Sequence, residues 1–370
     1  MKRKKGLLLS VLMVMMSLTT NAYDAEIDGI YYNFSGDEAE VTYKVENAYD
    51  NYSGDVIIPE LVTYRGKEYH VTSIGYKAFS RCTDKVSITI PKSVNVIKFL
   101  AFSGCKGLTS IIIPDGVETI EMHAFDGSVN LVSIVMPENM TSIGSGAFYS
   151  CKSLTAVSIP QGVEKLLSET FYGCSSLSSV SIPESVKFIE TSAFMSCTSL
   201  TNIKFPDSVE GIYERVFENC KNLKSIILSE NLKHLGQDAF YGCSNLAEIV
   251  CKAQNPPATQ YIDKVGLERP GGVFYGVNKQ NCKLYVPKGC EEAYRASDLW
   301  KDFNIVEMEM GISEMNNKRV KSEKYDDAVY DLSGRKMFNV QSSMFNVQSS
   351  MFNGLKKGLY IQNGRKVSVK

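Results

Sequence analysis

Apolar positions recur along the middle of the chain at a constant interval of 23 residues. Phenylalanine stands at 79, 102, 125, 148, 171, 194, 217 and 240, and leucine at 108, 131, 154, 177, 200, 223 and 246. Proline stands at 91, 114, 137, 160, 183 and 206, with Ser229 in the next slot. Cysteine stands at 82, 105, 151, 174, 197, 220 and 243, and Ser128 fills the one gap. Four residue types held in phase over seven or eight cycles do not arise by chance, and such a period is the signature of a repeat architecture.

The unit reads L-x-x-I-x-I-P-x-x-V-x-x-I-x-x-x-A-F-x-x-C-x-x. In one copy the apolar set is Leu108, Ile111, Ile113, Val117, Ile120, Ala124 and Phe125. The period of two at Ile111 and Ile113 predicts a short strand with both side chains inward. Pro114 ends that strand because it cannot donate to a ladder. Val117 and Ile120, three apart, predict a second bend of the coil. Gly104, Gly127, Gly173 and Gly242, each just before the cysteine slot, supply a turn. One such unit cannot bury its apolar face alone, whereas stacked units supply one another's floor. The predicted fold is a β-rich solenoid of parallel strands, about eight coils over 56–251, capped at both ends.

Open ends of a solenoid are exposed edges and need cover. Residues 23–55 read as a capping hairpin, with Ala39, Val41, Tyr43 and Val45 alternating and a turn at Ser35-Gly36-Asp37. Pro59 to Phe79 spans nine residues more than Pro91 to Phe102, so the first unit carries an insertion, with Arg65-Gly66-Lys67 at its tip and Val71 and Ile74 back in phase. Residues 252–310 read as a final coil and cap: an irregular loop around Pro270-Gly271-Gly272, a strand at 284–287, a short helix over 291–297, and Trp300, Phe303 and Ile305 as apolar cover. Residues 311–328 form a polar linker. A small β tail follows at 329–370, with strands expected at 329–335, 358–361 and 366–370. The heptad Met-Phe-Asn-Val-Gln-Ser-Ser stands twice, at 337–343 and 344–350, and reads as a duplication in a loop that tolerates length change.

At the other end, Lys2, Arg3, Lys4 and Lys5 precede an apolar stretch from Leu7 to Leu18, and Thr20-Asn21-Ala22 offers small residues for cleavage. This is the layout of a secretory signal peptide over 1–22. The mature chain has no apolar run of transmembrane length. Forty Lys+Arg against 41 Asp+Glu give a net charge of −1, which argues against a nucleic-acid partner. Three histidines and one tryptophan leave little material for histidine-based catalysis or metal binding.

Candidate chemistry is sparse. Stacked coils bring neighbouring cysteines to about 5 Å at Cα, a spacing that disulfides accept. One thiol per coil in a line does not make the converging four-ligand set of a metal site, however. The row reads as small inward packing groups, reduced, with Ser128 as an equivalent. Gly144-Ser145-Gly146 is repeat filler rather than a phosphate loop. His70, His123 and His234 fall at unrelated phases, with His123 and His234 at the surface. No catalytic residue, metal or cofactor is expected.

Three exposed rows remain as candidate binding positions. The outward residues of the strands are Ser87/Thr89, Ser110/Ile112, Ser133/Val135, Ala156/Ser158, Ser179/Ser181, Asn202/Lys204, Ser225/Ile227 and Glu248/Val250, a flat, small-sided and nearly uncharged face. Just past the prolines runs an acidic row, Asp115, Glu138, Glu184, Asp207 and Glu230, interrupted by Gln161. Its carboxylates raise the local negative potential and attract a basic protein segment or a cation, or else simply form a solvated rim. Tyr149 and Tyr172 stand in phase on adjacent coils, with Tyr241 further along, either packed or offering a platform for sugar rings.

The repeat unit resembles the BspA-like leucine-rich repeats of secreted and surface proteins of Bacteroidota, over about 56–306. Proline, or the residue after it, stands where the usual eukaryotic repeat has asparagine. The tail resembles, in truncated form, the C-terminal sorting domain of the type IX secretion route. What the resemblance implies is a non-catalytic protein, secreted or at the cell surface, that adheres to host extracellular proteins or to other bacteria. A carbohydrate-binding module and a structural spacer of the envelope are the alternatives.

Overall fold

The computed structural model describes residues 22–46, 48, 51–260 and 272–308, and the backbone of strands at 328–330, 336–339, 358–362 and 365–369. The leader at 1–22 (all but its last residue), the loop around Pro270 and Gly271, most of the linker and most of the duplicated heptad lie outside the described residues.

The 23-residue unit closes into a coil because both of its apolar clusters form strands. In the unit from Leu108, Ser110–Ile112 is a strand of the front ladder and Thr119–Ile120 a strand of a second one. The spacing of Val117 and Ile120 had suggested a bend. The structure places there a two-residue strand that pairs in parallel with Val96–Ile97 on one side and Ser142–Ile143 on the other. Two residues suffice because the ladder bonds are made to neighbouring coils, so strand length within a coil is set only by the width of the side. A third side is linked as well. Phe102 N donates to Ala124 O at 2.7 Å, Phe125 N to Ala147 O at 2.8 Å, and Phe171 N to Ala193 O at 2.9 Å, so the Ala-Phe turns are hydrogen-bonded coil to coil.

Registers confirm the period. Ser110 pairs with Ser133, Ala156 with Ser179, Asn202 with Ser225, and Ser225 with Glu248. Stacking in register puts like upon like in the interior. The phenylalanine rings from Phe79 to Phe240 form one column, with centroids 4.8–5.5 Å apart and planes within 14°. Each ring is fully buried. The column extends past the regular period. Phe240 stacks on Phe274 at 5.3 Å, and Phe274 meets Trp300 at 5.1 Å. Phe274 lies 34 residues after Phe240 rather than 23, so its place in the column is invisible to a fixed period. With it, the solenoid has about ten turns.

Two left-handed positions per coil flank the phenylalanine, one two residues before it and one two residues after. Gly104, Gly127, Gly173 and Gly242 occupy one row, shared with Arg81, Ser150, Ser196 and Asn219. The other row is Lys77, Leu100, His123, Gly146, Glu169, Ser192, Arg215 and Asp238, all with φ between 53° and 60°. Only one of these eight is glycine, which is why no glycine signal marks the row in the sequence.

The two ends are covered differently. At the N-terminal end, Ile30–Ser35 and Glu38–Thr42 form a hairpin around the Ser35-Gly36-Asp37 turn. Glu38–Thr42 then pairs in parallel with Lys67–Ile74, which leads into the second ladder of the coils. Ala39 and Val41 are buried, as their alternation predicts, but the pattern stops at Thr42: Thr42 is buried and Val45 is 54% exposed. Leu61–Tyr64 and Lys67–Ile74 form the inserted hairpin, turning at Arg65 and Gly66. At the C-terminal end the front ladder continues through Lys283–Val286 and Asn304–Glu307. A single helical turn and a half, Glu291–Ala296, packs Tyr294 inward, and its hydroxyl donates to Ala253 O at 2.8 Å. Trp300 is fully buried and donates through Nε1 to Pro257 O at 3.0 Å. The tail strands pair antiparallel in a separate four-stranded ladder, in the order 336–339, 328–330, 358–362, 365–369.

Candidate functional site

The cysteine row is more than inert packing. The Cys151 thiol donates to Phe125 O at 3.1 Å, and Cys174, Cys197, Cys220 and Cys243 repeat that bond to the Phe carbonyl 26 residues earlier. Ser128 makes the same bond to Phe102 O at 2.6 Å. The slot therefore selects a small donor, which explains the Cys/Ser exchange better than size alone. None of the ten cysteines is in a disulfide, and all are buried. Burial pushes the thiols of Cys174 and Cys243 up to about 12, so they remain protonated and are poor nucleophiles. Among the described residues no three His, Cys, Asp or Glu side chains converge as a metal site.

On the front ladder, Ser181 and Lys204 are exposed, and Ser110 and Ser158 are half-buried. Val135 and Val250, also expected to face outward, are buried at 7% and 6% exposure and so leave the accessible face. The Ser133 hydroxyl is also buried and has no hydrogen-bond partner.

The acidic row divides. Asp115, Glu138, Glu184 and Glu230 are exposed. Asp207 is not a free carboxylate: its Oδ1 lies 2.7 Å from Nζ of Lys252, a lysine only 5% exposed. The backbone N of Glu230 also donates to Asp207 Oδ1 at 3.4 Å. The expectation of five mutually repelling charges is corrected at this member, because a buried lysine two coils along neutralises it. Beside the row runs a ladder that sequence reading missed. Glu164 faces Lys187 at 3.4 Å and Glu210 faces Lys233 at 2.6 Å, on positions 23 apart.

Tyr149 and Tyr172 stack with centroids 4.5 Å apart and planes within 5°. They belong to a longer band on the turn side. Tyr43 meets Tyr76 at 6.3 Å, Tyr76 stacks on Phe99 at 5.8 Å, Phe99 meets His123 at 6.5 Å, and His123 meets Tyr149 at 6.3 Å. His123, expected to be an independent surface residue, is built into the band. Its imidazole lies over Gly146, where an added Cβ would come within 2.5 Å of the ring. A side chain at Gly146 would thus meet both a left-handed φ and that ring, so the Gly144-Ser145-Gly146 stretch is more than filler. Tyr76 and Met122 are among the most exposed large apolar side chains, at 37% and 47%. The signal was present in the sequence: Tyr76, Phe99 and Met122 stand 23 apart, one row outside the alanine and phenylalanine of the core.

Carboxylates border this band. Asp126 Oδ2 lies 3.6 Å from His123 Nδ1, and desolvation holds the Asp126 carboxyl above its usual range, opposed in part by His123. Burial, and then the neighbouring Tyr172 and Glu169, raise Tyr149. Further along the solenoid the same side is polar. Thr191 Oγ1 donates to Glu214 Oε2 at 3.0 Å, and these two line a shallow cleft of about 200 Å³ with Arg215, Gln237 and Asp238.

The coils that build these features match the family "BspA type Leucine rich repeat region", in six copies over residues 72–189 and 164–263. The chain belongs to the BspA-type leucine-rich repeat proteins. Among solved structures, a leucine-rich repeat protein from Bacteroides ovatus is 29% identical, with a TM-score of 0.55, over 77% of this chain and 76% of that one. A leucine-rich repeat protein from T. pallidum is also 29% identical, over 60% of this chain and 90% of that one, with a TM-score of 0.42. A leucine rich cell surface protein from Faecalibacterium prausnitzii is 20% identical over 79% of this chain and 96% of that one, with a TM-score of 0.41. No curated protein matches. Among the described residues, no helix is long and apolar enough to cross a membrane.

Proposed function

We propose that this BspA-type repeat protein is exported and displayed at or released from the cell surface, where it works by binding extracellular proteins of a host or of other bacteria rather than by catalysis. The observation that supports this most is the rigid, in-register stacking of every coil. It holds long rows of side chains at fixed spacing on three sides, a layout suited to distributing many modest contacts over an extended partner. Groups with chemical reactivity do not fit this surface: the thiols are buried, and the histidines have no shared site. The basic leader at 1–22 and the β tail at 329–370 belong to the same proposal, as export and sorting segments. So do the domain limits drawn from the period.

The carbohydrate reading is the weaker one, for a geometric reason. Sugar platforms use open ring faces, whereas Tyr149 and Tyr172 cover each other's facing surfaces at 4.5 Å. The test compares immobilised matrix proteins, whole co-resident bacteria and a glycan array as targets for the full chain. Saturable binding to proteins with none to glycans is the expected result. Selective glycan binding overturns the proposal. Within the protein arm, Asp115→Ser combined with Glu138→Ser and Glu184→Ser reports whether the acidic row contributes. Asp207 is left intact, because its removal would strand Lys252.

A further inference from the structure

The aromatic band on the turn side lies outside the interior phenylalanine column that already stacks the coils. We propose that it is a docking surface for a polypeptide segment that carries apolar side chains with lysine or arginine beside them. The inference rests on the protein-binding reading above and narrows it to one surface and one partner chemistry.

Three observations carry it. First, the band is continuous: six rings, Tyr43, Tyr76, Phe99, His123, Tyr149 and Tyr172, run from the N-terminal cap across the first coils without a polar break between neighbours. Met122 and Tyr76 project from it at 47% and 37% exposure. Tyrosine, phenylalanine and methionine are the side chains enriched at protein interfaces.

Second, the rings that stack do so along the solenoid axis, as the buried phenylalanines do, so their edges rather than their faces meet solvent. An exposed ring edge is weakly positive and apolar. It packs against aliphatic side chains or the face of a partner's ring and offers no platform to a sugar.

Third, carboxylates border the band, Asp126 facing His123 Nδ1 at 3.6 Å and Glu169 close enough to act on it, while the lysines there are already in use. Lys77 sits over Tyr76 at 4.9 Å and pairs with Glu46 at 3.4 Å, and Lys98 pairs with Glu40. Asp126, half-buried, has a carboxyl raised by desolvation, and Glu169 adds to that rise. A carboxylate in that state gains from an incoming cation, so lysine or arginine next to the apolar contacts complements the site.

The test displays random dodecapeptides, selects on the immobilised full chain, and measures the selected peptides by fluorescence anisotropy. The expected sequences combine Leu, Ile, Phe or Trp with Lys or Arg. Replacing those Lys or Arg residues by Glu is expected to weaken binding at least about tenfold. Tyr76→Ser with Phe99→Ser is expected to weaken the peptide by about tenfold or more, in line with loss of aromatic anchors. The near-isosteric pair Asp126→Asn and Glu169→Gln should abolish the preference for Lys over Glu. The front-row triple Asp115→Ser, Glu138→Ser and Glu184→Ser should bind unchanged. Selected peptides that are acidic or purely polar overturn the inference. So does a selected peptide whose affinity follows the front row and ignores both band variants; in that case the protein-binding reading stands. A full chain that enriches no peptide and captures none of the matrix or bacterial proteins overturns both.

Discussion

The turn side of this solenoid has two ends built on one interior. From the cap through Tyr172 it is aromatic, with Tyr76, Phe99, His123 and Tyr149 in contact. From Thr191 onward the positions of Tyr76, Phe99 and His123 carry Thr191, Glu214, Arg215, Gln237 and Asp238, and aromatic rings return only with Tyr241, at the position of Tyr149 and Tyr172, stacked on Tyr275 at 5.0 Å. Beneath both, the phenylalanine column has the same centroid spacing, 5.4 Å at Phe125–Phe148 and 5.4 Å at Phe217–Phe240. The buried phenylalanines stay constant along the rod while residues outside the buried set change. Fold and surface character are therefore separable here. Inward positions answer to close packing, which tolerates little change, whereas outward positions answer to solvent or to a partner.

The largest effect should come from the shared interior. Phe148→Ala beneath the aromatic end and Phe217→Ala beneath the polar end should each cost roughly 3–5 kcal/mol, the usual range for a buried phenylalanine. Chemical denaturation checks this. Costs that differ by more than about 1 kcal/mol would mean that the two ends do not share one core, and a loss below that figure at either site would contradict its burial.

Next is the exception in the acidic row. Asp207→Ser strands the Lys252 ammonium at 5% exposure and should cost about 1–3 kcal/mol. Asp115→Ser, at an exposed member of the same row, should stay within about 0.5 kcal/mol. Equal costs would show that burial of Lys252 is not what singles out Asp207.

Gly146 tests the junction between rings. Gly146→Ala adds a Cβ at φ 60° and within 2.5 Å of the His123 imidazole, and should cost about 1–3 kcal/mol. In a His123→Ala background the steric part should vanish and leave about 1 kcal/mol of backbone strain. A cost unchanged by His123→Ala would place the whole effect in the backbone.

The thiol row is read through pH. Thiols with an ordinary value of 9.0 titrate at about 12 when folded, as at Cys174 and Cys243. Above pH 9 the unfolded chain releases these protons first. The stabilisation is therefore complete below pH 9 and is lost as pH rises from 9 toward 12. Replacing Cys174 and Cys243 by Ser, which keeps the donor, should make that fall measurably shallower. In native protein none of the ten thiols should react with a maleimide at pH 7.

The cysteine row, the Ile pairs and the phenylalanines announced the solenoid because a burial requirement that repeats in space must repeat in sequence. Part of the candidate site was legible in the same way: Tyr149 and Tyr172 share a phase and do stack. The band's other members were missed because they change type from coil to coil, Tyr76 to Phe99 to Met122, and a search for identity passes over them. The second left-handed row was missed because an in-register ladder of hydrogen bonds holds Leu100, Glu169 and Arg215 in a conformation usually marked by glycine.

By itself, then, the order of amino acids determined the period, the two apolar clusters of each coil and the slots of the core, since each depends on side-chain size and polarity at fixed spacing. Only the tertiary structure decided that Lys252 reaches back 45 residues to Asp207, that Phe274 rejoins the column after a long insertion, and that rings from six separate segments touch. Those facts depend on distances closed through space by stacking, which no local pattern along the chain contains.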